Sequence, residues 1–330
     1  MADFVRDIGG IRRLIRERGI DLVLLSGLVN PHAAIAARLE GRAVVWQILD
    51  TRSPMALRRV MMPLVARLAD AVMNCGVEVA RVHPGTARLA DRMVLYYPPV
   101  DTAGFNPDPA RRAAAREELR VPADAPLIGT VGNLNPMKGH EYLLRAAAIL
   151  RRDHPKLHVR VMGAHTPTHA AYAARLRAEA QSLGLFQDGA LEFVDPGDRV
   201  AELLPALDVF MQTSVPRSEG MPTVILEAMA CGVPVAATAI ASVQEVVEDG
   251  ANGLIMPPLD PPAMAAAARR LLDDPALRAR VSDEGRRRAV ERYGVEQCAG
   301  SYLAAFALAR AHRAARGSGP LRRPAAHESR

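Results

Sequence analysis

Residues 218–234 read Ser-Glu-Gly-Met-Pro-Thr-Val-Ile-Leu-Glu-Ala-Met-Ala-Cys-Gly-Val-Pro, and more of the architecture follows from this stretch than from any other. It comes after the apolar run 209–212, which predicts a strand, and residues 222–230 predict a helix. Open parallel α/β sheets bind ligands at the carboxyl ends of their strands. The order strand, loop and helix therefore predicts a ligand-binding edge of such a sheet around residues 218–224.

The start of this predicted helix has the features of an anion site. Pro222 suits the first helical position, and the N–H groups of Thr223 and Val224 would then lack partners within the helix. Free N–H groups and the helix dipole together favour a bound anion such as a phosphate. Glu219 and Glu227, just before the helix and about one turn inside it, can accept charge-assisted hydrogen bonds from sugar hydroxyls.

A second strand, loop and helix lies at residues 127–152. Its loop contains Gly-Asn-Leu-Asn-Pro-Met-Lys-Gly at 132–139, and Lys138 can place an ammonium group on a phosphate. The loop lacks the Gly-x-Gly-x-x-Gly pattern of dinucleotide-binding folds and the Gly-Lys-Ser/Thr of a Walker loop. No Asp-x-Asp triplet occurs in the chain, which argues against metal-dependent sugar transfer and leaves positive groups to stabilise a departing diphosphate.

Residues 218–234 resemble the Glu-x7-Glu motif of retaining GT-B glycosyltransferases of family 4, and the resemblance extends over about residues 20–300. It implies that Glu219 contacts the donor hexose and acts in catalysis with Lys138, and that Glu227 binds the ribose hydroxyls. It also implies that the strand near 191–197 reads the base through its backbone. The donor-binding residues implied in this way are Asn133, Lys138, Val194, Glu219, Gly220, Met221, Pro222, Thr223, Val224 and Glu227.

The chain departs from the family pattern at three places. Asn133 stands where the family usually has an arginine, so the leaving diphosphate has one cation fewer. Ala241-Ser242 replaces the usual Gly-Gly. The N-terminal His-Asp pair is reduced to Asp50, because Leu49 stands in place of the histidine; Asp50 is kept as an acceptor-side contact.

The strand and helix pattern predicts an α/β protein of GT-B type with two Rossmann-like domains and parallel sheets. We expect a truncated N-terminal acceptor-side domain at 1–120 and a nucleotide-sugar donor domain at 121–295. A C-terminal helix at 296–315 is expected to pack toward the N-terminal domain, and 316–330 to form a disordered tail. Because nothing before Asp21 resembles the family's first strand and Gly-rich loop, the N-terminal domain is expected to be incomplete, through a late start site, a shortened enzyme or a fragment.

The composition is that of a globular protein of 330 residues, with 49% hydrophobic and 24% charged residues. A net charge of +6 favours anionic partners, but neither zinc spacing nor an aromatic-basic motif is present, so no nucleic acid is expected. Three widely spaced cysteines and the lack of a signal peptide predict a cytoplasmic protein with reduced thiols. The helix near 55–69 suggests peripheral contact with the inner membrane face as an alternative to a solvated face, through Arg58, Arg59, Met61, Met62 and Arg67.

The function predicted from the resemblance is retaining transfer of a hexosyl group from a nucleotide-diphosphate sugar. The acceptor is a glycan, a lipid-linked molecule or a small molecule, and neither a metal nor another cofactor is expected. One alternative is a catalytically idle remnant that binds nucleotide sugars but lacks a complete acceptor domain. Another alternative is a sugar-nucleotide epimerase of similar architecture.

Overall fold

The computed structural model describes residues 2–49, 51–218 and 220–317. These residues form two compact units. The first comprises the described residues up to Tyr97 and those from Cys298 onward, and the second comprises Pro98–Gln297. Each unit has its own parallel sheet, as the alternation of strands and helices predicts.

The sheet of the first unit has four parallel strands in the order β1-β2-β3-β4. Its strands β2 and β3 are mostly apolar, as expected for a sheet covered on both faces, and Val44, Trp46 and Val72 are completely buried. The elements of this unit are β1 (Leu22–Ser26), β2 (Ala43–Ile48), β3 (Ala71–Cys75), β4 (Met93–Tyr96), α1 (Ala2–Glu17), α2 (His32–Leu39), α3 (Met55–Leu68) and α4 (Val77–Arg81).

A buried carboxylate joins several elements of the first unit. Asp70, just before β3, is completely buried and accepts two hydrogen bonds from Arg38 of α2, at 2.9 and 3.0 Å. It also accepts the N–H of Val44 in β2 at 3.0 Å, and Nδ1 of His312 lies 3.2 Å from it. His312 belongs to the C-terminal helix α13 (Val295–Ala315), so this helix is tied to the first sheet.

Two further contacts attach α13 to the same unit. The side-chain amide of Gln47 in β2 donates to the hydroxyl of Tyr302 at 2.5 Å, and Nε of Arg313 donates to the carbonyl of Gly41 at 3.1 Å. Of the tail expected at 316–330, residues 318–330 lie outside the described residues. The incomplete N-terminal domain stays a prediction.

Three of the five side chains of α3 that were expected to face a membrane are buried, whereas Arg59 and Arg67 are exposed. Met61 and Met62 are buried in the core, and Arg58 is buried while donating to the carbonyl of Val82 at 3.0 Å and to that of Thr51. The membrane-facing interpretation is therefore wrong for these three side chains, because they pack inside the unit. In the described ranges, no helix is both long and apolar enough to cross a bilayer.

The sheet of the second unit has six parallel strands in the order β10-β9-β8-β5-β6-β7. Its strands are β5 (Leu127–Val131), β6 (His158–Met162), β7 (Leu191–Val194), β8 (Val209–Gln212), β9 (Val235–Thr238) and β10 (Leu254–Met256). Its helices are α5 (Pro109–Glu118), α6 (His140–Leu150), α7 (Ala170–Ser182), α8 (Val200–Leu203), α9 (Thr223–Ala230), α10 (Val243–Val246), α11 (Pro261–Asp273) and α12 (Pro275–Arg292). The core on one face of this sheet is formed with α6, α7 and α11.

Helix α5 places the start of the second unit before the boundary expected at residue 120. Its Arg112 donates to the carbonyl of Leu207 at 2.9 Å and pairs with Asp208 at 2.5 Å. Its Arg116 is buried and donates to the carbonyl of Ala206 at 3.0 Å. Because these contacts attach α5 to the segment between α8 and β8, the division falls at Tyr97 and Pro98 rather than at 120.

Candidate functional site

The strand order of the second sheet reverses between two neighbouring strands, β5 and β8. From β5 the chain proceeds to β6 and β7 on one side, whereas from β8 it proceeds to β9 and β10 on the other. The crevice outside the carboxyl ends of strands at such a switch point is where open α/β sheets bind ligands. The loops that follow β5 and β8, residues 132–139 and 213–222, both begin there and contain most of the predicted site residues.

The side chain of Lys138 lies against the backbone at the end of β5. A β-carbon on Gly132 would come within 3.1 Å of Cδ and Cε of Lys138, so the missing side chain of Gly132 leaves room for the lysine stem. Lys138 is half-buried. This packing limits the directions in which its ammonium group can extend from the loop.

The backbone around Lys138 is fixed to the end of β8. The hydroxyl of Thr213 donates to the carbonyl of Lys138 at 3.0 Å, and the N–H of Val215 donates to the carbonyl of Met137 at 3.0 Å. Gly139 has a left-handed φ of +63°, and a β-carbon there would lie 2.2 Å from the carbonyl oxygen of Thr213. The two loops at the switch point therefore form one connected structure.

Asn133 lies on the exposed side of the same loop. Its carbonyl accepts the N–H of Asn135 at 2.8 Å and faces Nε2 of the buried His140 at 3.1 Å. The side chain itself is exposed. Asn133 can therefore offer an amide to a ligand, but not the positive charge of the arginine that the family pattern would place here. His140 is the first residue of α6.

Helix α9 begins one residue later than expected. Pro222 has φ −73° and ψ 110°, so it is the residue that precedes the helix, and Thr223 is the first helical residue. The prediction of Pro222 at the first helical position is wrong because its ψ is extended, although its fixed φ fits either position. No side chain of the described residues caps this end. The N–H groups of Thr223 and Val224 still precede the regular helical hydrogen bonds, so the anion-binding geometry is retained.

The loop before α9 is held by hydrogen bonds on both sides. The hydroxyl of Ser218 donates to the carbonyl of Val215 at 2.6 Å, and the N–H of Ser242 donates to the carbonyl of Gly220 at 3.2 Å. Gly220 and Met221 are buried, so the backbone rather than the side chain of Met221 can reach a ligand. Glu219, the residue that the resemblance places on the hexose, lies outside the described residues.

Glu227 lies in the second turn of α9 and is half-buried. Burial raises the pKa of its carboxyl above the usual value for glutamate. In the described part of the chain, Glu227 makes no ion pair within 4 Å that would offset this burial. Its oxygens therefore remain able to accept hydrogen bonds from the hydroxyls of a ligand.

A polar network beneath the site was missed by sequence reasoning. The buried Oε1 of Gln212 accepts the N–H of Thr238 at 3.1 Å and its hydroxyl at 2.9 Å, and the same hydroxyl lies 2.8 Å from the carbonyl of Ser214. These contacts join the ends of β8 and β9. A glutamine at the end of the otherwise apolar strand 209–212 was the signal that could have revealed it.

One predicted residue of the second unit, Val194, is not brought into the crevice beside Lys138. Val194 ends β7, two strands away from β5, which places it about 10 Å to the side at the usual strand spacing. Its carbonyl accepts the N–H of Gly163 at 2.7 Å. Asp50 lies outside the described residues and follows β2 in the sequence of the first unit.

Residues 111–288 match the family model described as glycosyl transferases group 1. This match covers most of α5 and of the second unit, including both loops at the switch point. The family of the chain can therefore be judged from the same residues that form the candidate site.

Curated relatives with detectable similarity include proteins named D-inositol 3-phosphate glycosyltransferase. The protein of Kineococcus radiotolerans is 37% identical over 212 residues, which cover 60% of this chain and 48% of the relative. That of Corynebacterium urealyticum is 33% identical over 230 residues, which cover 68% of this chain and 53% of the relative. The chain thus spans about half the length of these curated relatives.

Solved structures with similar folds cover most of the chain. HepE of Anabaena in complex with UDP-glucose superimposes with a TM-score of 0.81 at 23% identity, covering 91% of this chain and 82% of HepE. Sucrose-phosphate synthase of Thermosynechococcus elongatus gives a TM-score of 0.76 at 24% identity, covering 93% of this chain and 77% of the other. These similarities confirm the predicted fold class, GT-B with two Rossmann-like domains and parallel sheets.

Proposed function

The chain belongs to the glycosyl transferases group 1 family, and on this premise we propose that it moves a hexosyl group from a nucleotide-diphosphate sugar to a hydroxyl of an acceptor. The observation that carries this proposal is that two groups suited to binding an anion, a lysine and a helix N-terminus, follow neighbouring strands at one switch point. Lys138 comes from the loop after β5, and the N-terminus of α9 comes from the loop after β8.

In this proposal, the diphosphate of the donor lies between the ammonium of Lys138 and the N–H groups of Thr223 and Val224. Glu227 accepts hydrogen bonds from the ribose hydroxyls, and Glu219 orients the hexose. Asn133 and the backbone of residues 220–222 complete the phosphate and sugar contacts, and the backbone near Val194 receives the base. Positive groups preorganised around the leaving diphosphate supply the largest catalytic contribution.

The proposed reaction retains the configuration of the sugar. The bond between the anomeric carbon and the diphosphate oxygen breaks, and the acceptor hydroxyl forms a new bond to the same face of that carbon. The departing phosphate oxygen takes the proton of the hydroxyl. The positive charge that this step requires comes from Lys138 and the end of α9, so the proposal includes no metal. Asp50 is proposed as a contact of the acceptor.

The donor and acceptor are best identified with panels of candidate compounds. HepE was crystallised with UDP-glucose, so this sugar nucleotide heads a donor panel that also includes GDP- and ADP-sugars. The relatives are named for D-inositol 3-phosphate, which heads the acceptor panel. Titration calorimetry measures donor binding, and product analysis measures transfer. Donor binding without transfer to any acceptor would favour the idle remnant, and an epimerised donor without acceptor would favour the epimerase.

The chain offers a matched pair of variants for testing the site. Lys138→Ala is expected to weaken donor binding and transfer by about 100-fold, because charge-assisted hydrogen bonds to the diphosphate are lost. Lys156→Ala removes the other lysine, whose side chain is exposed and 4.0 Å from Asp124, and should change neither. Glu219→Ala should abolish transfer while the protein remains folded. Unchanged turnover in both Lys138→Ala and Glu219→Ala would refute the site.

A further inference from the structure

The two units of the chain carry net charges of opposite sign. The first unit contains 20 arginines and 10 acidic residues, whereas the second contains 22 lysines and arginines and 26 acidic residues. Their formal charges are therefore +10 and −4. A large positive charge attracts anionic surfaces. The excess of positive charge thus belongs to the unit that does not contain Lys138 and α9.

Within the first unit, residues 51–69 contain positive charge without any acidic residue. This segment includes α3, and its arginines are Arg52, Arg58, Arg59 and Arg67. Helix α12 shows a different arrangement, because its exposed Arg287 pairs with Glu284 of the same helix at 2.7 Å. The sequence of α3 offers no such compensation for its arginines.

The burial pattern divides α3 into two faces. The inner face is buried and consists of Arg58, Met61, Met62, Val65 and Leu68. The outer face is exposed and consists of Met55, Ala56, Arg59, Val60, Pro63 and Arg67. Residues three and four apart are neighbours on a helix surface, so the outer face is one continuous strip about 18 Å long.

Apolar side chains form a large part of the outer face. Val60 is 71% exposed, the largest value for a large apolar side chain among the described residues, and Met55 is 47% exposed. Pro63 is exposed between them and Arg67. A single exposed apolar side chain is ordinary in a soluble protein. Several of them beside arginines on one helix face are typical of a helix that lies in a membrane interface.

The two arginines of the outer face are directed to solvent. Arg59 and Arg67 are exposed and make no ion pair within 4 Å in the described ranges. Arg58 has a different role, because it is buried and donates to the carbonyl of Val82 at 3.0 Å. The inner face therefore holds α3 in place, and the outer face presents positive charge together with apolar surface.

We propose that the outer face of α3 binds the surface of an anionic phospholipid bilayer, with Arg59 and Arg67 on the lipid phosphates and the apolar side chains at the acyl boundary. Nucleic acid would match the charge but offers no apolar phase to Val60. A second copy of this face would bring like charges together. The proposal goes beyond the proposed sugar transfer, because it concerns a partner of the first unit.

Two double variants test the charge of the outer face. Arg59→Gln with Arg67→Gln removes it, and Arg13→Gln with Arg18→Gln is the control with the same change in net charge. All four side chains are exposed and without an ion pair among the described residues. Helix α1 packs against α2, which in turn packs against α3. At the usual helix spacing the two pairs are roughly 20 Å apart, beyond the screening length of about 8 Å.

Co-sedimentation with phosphatidylglycerol vesicles measures the binding, and phosphatidylcholine vesicles are the reference. Loss of Arg59 and Arg67 should weaken binding to phosphatidylglycerol about 30-fold, since each arginine at an anionic surface contributes about a factor of five. The control double variant should bind within about twofold of the unaltered protein, because its charges are screened from the bilayer. Neither should unfold at a lower temperature than the unaltered protein.

Tryptophan fluorescence tests the apolar part of the outer face. Val60→Trp places an indole on this face, and Val5→Trp places one on α1 at a position that is 65% exposed. The natural Trp46 is completely buried and gives a constant background. Phosphatidylglycerol vesicles should shift the emission of Val60→Trp to shorter wavelength, because the indole enters a less polar environment. They should not shift Val5→Trp, and single-stranded RNA should shift neither.

The outcomes separate this proposal from its alternatives. It is overturned if the unaltered protein does not bind phosphatidylglycerol vesicles, if the two double variants bind them equally, or if bound Val60→Trp keeps its emission. Binding of RNA without binding of vesicles also overturns it. Affinity for the nucleotide sugar should be the same in all variants, because Lys138 and α9 are untouched. Failure of the unaltered protein to bind a nucleotide sugar therefore counts against the proposed function alone.

Discussion

Lys138 is one of two lysines among the 42 Lys and Arg residues of the chain. An ammonium group is a compact charge on a flexible stem, whereas a guanidinium is a planar fork that prefers fixed bidentate geometry. The stem of Lys138 packs on Gly132, and its carbonyl is held by Thr213. In the proposed donor site, Lys138 is a single point charge on a fixed backbone, and the neighbouring Asn133 can add hydrogen bonding but no charge.

Glu227 should make donor binding depend on pH. Because burial raises the pKa of its carboxyl, the group protonates at a higher pH than an exposed glutamate does, and protonation removes the acceptor for the ribose hydroxyls. Donor affinity is expected to fall as the pH is lowered through this raised pKa. Glu227→Gln should bind about tenfold more weakly at neutral pH and should lose the pH dependence. Calorimetry over a pH series measures both effects.

Glu227→Gln should weaken donor binding, but at neutral pH it should increase the free energy of unfolding. The folded protein binds the Glu227 proton more tightly than the unfolded chain does, so the stability that protonation confers is lost as the pH rises through the folded pKa. Glu227→Gln should therefore unfold at a higher denaturant concentration than the unaltered protein at pH 7. Below the usual pKa range of glutamate the difference should vanish. A destabilised variant at pH 7 would contradict the raised pKa.

At the scale of elements, the turn after β9 supports the site through an unfavourable backbone conformation. Ala241 has a left-handed φ of +42°, at the position where the family pattern has glycine. The next residue, Ser242, donates its N–H to Gly220 in the loop before α9. Ala241→Gly is expected to stabilise the protein by about 0.5–1 kcal/mol, because it removes the left-handed penalty at some cost in chain entropy. Denaturant unfolding of the second unit measures this.

Ala239 is the control for this turn. It lies two residues earlier, has no left-handed φ, and donates its N–H to Met256 at 2.9 Å. Ala239→Gly should therefore destabilise by about 0.4–1 kcal/mol, since only the entropy of the unfolded chain increases. Equal effects of the two substitutions would mean that the backbone angle of Ala241 does not matter.

Most elements could be predicted because hydrophobic periodicity is a local property. The strand at 209–212 and the helix near 55–69 were predicted from such patterns and are confirmed. The short helices α4 and α10 were missed, because five and four residues are too few for a periodic signal. The position of Pro222 differed by one residue because ψ at a helix start depends on the preceding loop.

At the scale of the whole molecule, long-range contacts could not be predicted. The loop around Lys138 and the start of α9 were identified from their residues, but the Gln212 network and the attachment of α5 through Arg112 and Arg116 depend on neighbours distant in sequence. The domain boundary was misplaced for the same reason. Local patterns thus specified the strands, the helices and the loops of the candidate site, whereas tertiary packing specified how these are held together.

Asp70 should be among the most sensitive positions of the first unit. Asp70→Ala removes the partner of the buried Arg38 and the contact to α13, and breaking a buried ion pair costs about 3–5 kcal/mol. The single tryptophan, Trp46, is buried in the same unit, so its fluorescence during denaturant unfolding reports the change.

Asp21→Ala is the matched control for this prediction. Asp21 pairs with Arg42 at 3.3 Å in an exposed position, where an ion pair contributes about 0–1 kcal/mol. If the two alanine variants have similar unfolding midpoints, Asp70 does not have the role that its contacts indicate.

Because the sequence contains two lysines, ligand binding at the switch point can be followed through chemical modification of Lys138. An acylating reagent that targets primary amines finds two side chains in the sequence, Lys138 at the switch point and Lys156 before β6. Lys156 is freely accessible and provides an internal standard for reagent dose. Peptide mass spectrometry gives the ratio of the two modifications. A compound that covers Lys138 in the crevice lowers this ratio, so its binding can be followed without a labelled ligand or a known acceptor.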